Sequence, residues 1–76
     1  MEQQYIFHNT CFERELLRKQ RIVLNDNGID YKVDIKEDVR NARVPQIGYF
    51  EAEIYIHKNE FEKADPLLKA LIEKYS

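Results

Sequence analysis

The stretch YFEAEIYIH, residues 49 to 57, alternates without a break. In an extended chain successive side chains point to opposite sides. Phe50, Ala52, Ile54 and Ile56 therefore share one face, and Tyr49, Glu51, Glu53, Tyr55 and His57 share the other. Such a strand has to bury one face against something and leave the other to water. The rest of the chain must supply a cover for one side of a sheet.

Two more segments read as strands. IDYKVDIK alternates Tyr31, Val33 and Ile35 with Lys32, Asp34 and Lys36. The short aromatic and β-branched run YIFHN, residues 5 to 9, stops at Thr10. Between these two strands the spacing predicts a helix over residues 11 to 26. Thr10 and Glu13 stand three apart, the spacing of a capping box, with side chain and backbone bonding reciprocally. Phe12, Leu16, Val23 and Leu24 then recur at helical spacing, with Arg14, Arg18, Lys19 and Arg21 between them. Gly28 can adopt the left-handed conformation that ends a helix, and Asn27 tolerates it. The chain closes with NEFEKADPLLKALIEKY, whose inner stripe is Phe61, Ala64, Leu68, Leu71, Ile72 and Tyr75. Pro66 predicts either a turn at 59 to 64 with the main helix from about 66, or one helix kinked there.

The order is strand, helix, strand, strand, helix. Right-handed crossover and a shared apolar sheet face place the third strand between the first two, antiparallel to both, with both helices on one side. The expectation is an α+β sandwich of the ferredoxin-like kind, with the second sheet face bare. Seventy-six residues make a single domain. A chain this small has a thin stability margin, so self-association is expected from size alone. The apolar fraction of 43% is ample for a core and argues against disorder. A net charge of −2 provides no global field for non-specific nucleic-acid binding. Cys11 is the only cysteine, which excludes an intramolecular disulfide. The N-terminus lacks the basic start and apolar run of a secretory signal, and no apolar stretch is long enough to span a membrane. Both point to a cytoplasmic protein.

The phrases LNDNGIDYKV and EFEKADPLL, set in this order of elements, resemble a small bacterial family described as signal-transducing proteins, a domain of unknown function. The resemblance runs from Tyr5 to about Leu71 and rests on apolar pattern together with Gly28 and Ala64. That family is grouped with the nitrogen-regulatory PII-like proteins, which carry a long mobile loop between the second and third strands. Residues 37 to 48 hold that position here. The resemblance implies a binding or regulatory module and not an enzyme. It brings no catalytic residue and no cofactor, and the chain has no glycine-rich phosphate loop.

Two surfaces are candidates for that binding. The connector, about twelve residues long, exceeds what a hairpin needs. Its Arg40 and Arg43, with Gln46 and Tyr49 beyond them, can clasp an acidic partner or a small anionic ligand. Glu37 and Asp38 dilute that charge, and solvated loop residues are the plainer account. The bare sheet face, with Lys32, Tyr55 and His57, suits a homodimer or a protein partner.

The alternative is a thiol-dependent redox enzyme or sensor at Cys11, where a helix start would favour the thiolate. GIDYKVDI followed by VPQI resembles glutaredoxin-like folds. Against it, there is no second cysteine, and the nine residues between Ile35 and Pro45 leave no room for the required helix. His8 and His57 could approach one another on paired strands, with Glu51 or Glu53 nearby, yet nothing has metal-ligand spacing and no metal is expected. The basic side of the first helix invites a nucleic-acid reading, but Glu51 and Glu53 beside Tyr49 and Tyr55 would repel phosphate.

Overall fold

The computed structural model describes residues 4–38 and 49–75. Its elements are β1 (Tyr5–Cys11), α1 (Arg14–Asp26), β2 (Tyr31–Asp38), β3 (Tyr49–His57) and α2 (Phe61–Tyr75). β3 lies between β1 and β2 and is antiparallel to both. This is the α+β, ferredoxin-like βαββα arrangement that the alternation predicts. Ala52, Ile54 and Ile56 are fully buried, packed with Leu17 and Leu24 of α1 and Ala64 and Leu68 of α2. Both helices therefore cover one sheet face. Burying a side chain such as Ile54 or Leu24 contributes about 1.5–3 kcal/mol. The helices are tied at both ends: Lys63 Nζ donates to the Asn27 carbonyl at 3.1 Å, and the Tyr75 hydroxyl donates to the Glu13 carboxylate.

The start of α1 departs from expectation. β1 runs on through Thr10 and Cys11, which pair with Glu53 and Ala52. Strand pairing takes the residue that would have capped the helix, so no capping box forms. Glu13 holds the N-cap position with extended backbone and makes no side-chain cap bond. Phe12, expected on the inner stripe, lies before the helix and is 62% exposed. The buried stripe is Leu17, Gln20 and Leu24, with Leu16 and Val23 half-buried beside it.

The end of α1 follows the sequence closely. The Ile29 amide donates to the Leu24 carbonyl at 3.0 Å and the Gly28 amide to the Asn25 carbonyl at 3.2 Å. These two bonds form a Schellman motif, and the buried pair Leu24 and Ile29 supplies its apolar contact. Gly28 sits at φ +65° as required.

α2 is one helix from Phe61, and Pro66 lies within it. Of the two readings of Pro66, the fresh start does not occur and the single helix does. A mid-helix proline forfeits the bond to the carbonyl four residues back, here Glu62. Both residues are exposed, on the side of the helix away from buried Ala64 and Leu68. β2 also extends past its expected end, because Glu37 and Asp38 pair with Phe50 and Tyr49. The rest of the anticipated connector, residues 39–48, lies outside the described residues. No helix among the described residues is long and apolar enough to cross a membrane.

The cap yields a test. No heavy atom lies within 4 Å of a Cβ built at Gly28, so only the backbone conformation opposes a side chain there. Gly28→Ala should cost about 1 kcal/mol, read from the urea midpoint, and Gly28→Asn less. Equal stability in all three proteins would mean that α1 ends in another way.

Candidate functional site

α1 and the outer half of the sheet leave a groove of about 400 Å³ between them. Leu17 and Ile22 of α1, Ile35 of β2 and Phe50 of β3 make an apolar floor, and Arg14, Arg18 and Arg21 stand at its rim. Positions 14, 18 and 21 recur four and three apart, so the helix stacks the three arginines on one side. Ile22 and Ile35 are each 44% exposed, which is more water contact than apolar residues between two packed elements ordinarily keep. The Arg14 guanidinium lies 4.6 Å over the Phe50 ring, a cation–π contact that holds it above the floor. Arg18 is held by Glu15 through bonds of 2.6 and 3.3 Å. The bond from Arg18 keeps the Glu15 carboxyl below its ordinary range. Arg21 is exposed and makes no ion pair with any described residue.

A second polar cluster is internal. A bulge in β1 between Phe7 and Asn9 turns His8 toward the helices, where its side chain is 5% exposed. His8 Nε2 lies 2.8 Å from Asp65 Oδ1 on α2, and the Asn9 amide nitrogen lies 2.7 Å from His8 Nδ1. His8 is thus engaged at both ring nitrogens, Nδ1 by Asn9 and Nε2 by the Asp65 carboxylate. Asn9 also donates to Gln20 Oε1 at 3.0 Å, leaving Asn9 Oδ1 and Gln20 Nε2 buried without partners among the described residues. The His8 bond, and after it Lys69 at 3.3 Å, holds the Asp65 carboxyl below its ordinary range.

The residues singled out from sequence fall in different places. Arg40, Arg43 and Gln46 lie outside the described residues, as does the Tyr49 side chain. Lys32, Tyr55 and His57 share the open sheet face with Tyr5 and Phe7, as expected. That face is largely occupied with itself. The Tyr55 hydroxyl donates to Glu53 at 2.9 Å, Lys36 reaches Glu53 at 3.8 Å, and Lys32 lies 4.5 Å over the Tyr5 ring. Phe7 packs edge-on against Tyr55, and Tyr5 against His57. The approach of His8 to His57 does not occur, because the bulge puts His8 on the helix side while His57 stays on the open face. Among the described residues no group of three or more His, Cys, Asp or Glu is placed to hold a metal ion.

Cys11 is the last residue of β1 and 2% exposed, not a helix start, and burial pushes its thiol up. The helix-dipole argument for a thiolate fails there.

Sequence reasoning missed the groove. Its signal is present in the spacing of Arg14, Arg18 and Arg21, with Ile22 lying off the core stripe, but the sequence analysis weighed that basic side only against nucleic acid. No family model, curated protein or solved structure matches this chain.

The His8–Asp65 link makes a testable claim about acid. A carboxyl whose folded pKa is lowered contributes stability that is present above its unfolded value and lost as pH falls through the folded one. The stability gap between wild type and Asp65→Asn should be full at neutral pH. Below the ordinary carboxyl value of 3.8 it should close progressively. Urea denaturation across pH reads this directly, and a gap unchanged from pH 7 into strong acid would remove Asp65 from the account.

Proposed function

We propose that this protein is a small binding module, and that its ligand is an amphipathic anion held in the groove between α1 and the β2 side of the sheet. The observation that carries the reading is the juxtaposition of three arginines with a partly exposed apolar floor. The groove's volume falls within the roughly 300–1,000 Å³ of small-molecule sites, which are mainly apolar with a few polar groups fixing orientation. Guanidinium groups pair with carboxylate or phosphate oxygens in two-pronged fashion. Arg21 would take the oxyanion, while Ile22, Ile35 and Phe50 would accept a short aliphatic or aromatic body. Arg18, already bonded to Glu15, would reinforce the field and not make the first contact.

Binding without chemistry is the consistent reading. The thiol is buried, and the buried imidazole is engaged at both nitrogens. The resemblance to signal-transducing proteins agrees with a module that responds to a ligand.

Amide chemical shifts followed during titration with naphthyl phosphate, decanoate and their neutral alcohols test this. The anions should move resonances of Arg14, Ile22 and Ile35, and the alcohols should bind far less tightly. Arg21→Ala should weaken the anions about tenfold, the ratio for the ~1.4 kcal/mol of a charge-assisted bond. Ile22→Asp should abolish binding. Shifts absent with every probe, or equal with acids and alcohols, would sink the reading.

A further inference from the structure

β1 is an edge strand of the described sheet, and the ladder reveals which of its backbone groups face outward. The Lys58 amide donates to the Gln4 carbonyl at 2.8 Å, so Gln4 turns its backbone toward β3. Antiparallel pairs alternate between bonded and non-bonded positions. Tyr5 and Phe7, opposite His57 and Tyr55, therefore aim their N–H and C=O groups away from β3. His57 agrees, since its amide donates to Asp30 on the β2 side at 2.9 Å. Ile6 lies between the two outward residues. It sits opposite fully buried Ile56, yet it is 42% exposed, and Phe7 is 49% exposed.

The two edges of the sheet differ in charge. β2 carries Lys32, Asp34, Lys36, Glu37 and Asp38, the kind of charged edge that deters pairing with other chains. β1 has no Asp, Glu, Lys or Arg from Tyr5 to Cys11. Among the described residues its guard is the bulge, which begins after Phe7 and leaves the ladder regular before it.

We propose that β1 pairs antiparallel with β1 of a second copy of this chain, about a two-fold axis through Ile6. Tyr5 then stands opposite Phe7 of the second copy, and each such pair exchanges both of its backbone bonds. Ile6 faces Ile6 of the second copy in a non-bonded position, where side chains come closest. That contact covers the exposed flank of Ile6 on the helix side, while Tyr5 and Phe7 rings meet on the open face. Two three-stranded sheets become one continuous sheet.

A second copy fits better than a charged peptide for two reasons. A neutral strand offers no counter-charge to an acidic or basic partner. Its outward groups are also symmetric about Ile6, which is the self-complementarity that a two-fold interface requires. The bulge limits pairing to a few residues, so the contact is smaller than the ~1,200 Å² of stable interfaces, and the dimer dissociates on dilution. This proposal is independent of the groove, which lies on the other side of the sheet.

Sedimentation equilibrium of wild type from micromolar to millimolar concentration should show the mass rising toward that of a dimer. Ile6→Lys and Ile6→Asp, each checked for its fold by circular dichroism, should stay monomeric alone and regain the dimer when mixed. Tyr55→Glu should leave the dimer intact. Amide exchange on wild type needs no variant: Tyr5 and Phe7 protons should gain several-fold protection with concentration. The proposal is overturned by a wild type that stays monomeric, by either Ile6 variant remaining dimeric, or by loss of the dimer in Tyr55→Glu. It is also overturned by folded variants that fail to reassociate on mixing, or by Tyr5 and Phe7 exchange rates independent of concentration.

Discussion

The inner face of β3 is the surface on which the rest of the molecule depends. Ala52, Ile54 and Ile56 are each fully buried, flanked by β1 on one side and β2 on the other, and roofed by both helices. Three apolar residues at alternate positions set the plane of burial. Every other element is arranged so that its own apolar side meets that plane. A small domain has few such contacts, and the loss of one is felt throughout.

A polar seam interrupts this apolar layer. Gln20 is fully buried on α1, Asn9 reaches it from β1, His8 bonds Asn9 in turn, and Asp65 closes the row from α2. Buried polar groups are costly unless bonded, so this chain of contacts discriminates among arrangements in a way that leucines would not. It links three elements at once and specifies which turn of α2 lies over the edge strand. The bulge that puts His8 there also ends the regular part of β1. A single extra residue in a strand therefore shapes both the interior and the exposed edge.

The fold was largely legible in the residues. Alternation in β2 and β3, the glycine closure at Gly28 and the stripe of α2 each rest on a local rule, and each appears in the structure, except that Tyr75 at the end of the α2 stripe is exposed. The departures come from competition between elements. Thr10 was a sound helix cap in isolation, but Glu53 offered it a place in the ladder. Pro66 was a sound helix start, but the turn before it was already anchored by Ala64 and by Asp65 against His8. The groove was half-legible. Three arginines on one side of a helix were visible, whereas the apolar floor that gives them a purpose needed Ile35 and Phe50 from distant strands.

By itself the sequence determined the kind and order of the described elements, the order of faces along each strand, and the single-sided burial of the sheet. These follow from periodicity, which is a property of neighbours in the chain. Only the tertiary structure decided that His8 turns inward while His57 stays out, that Cys11 is sealed within the core, and that Arg14, Arg18 and Arg21 overlook exposed isoleucines. Those outcomes depend on register and on one bulge. Register is settled by contacts between residues far apart in sequence, which no local pattern encodes.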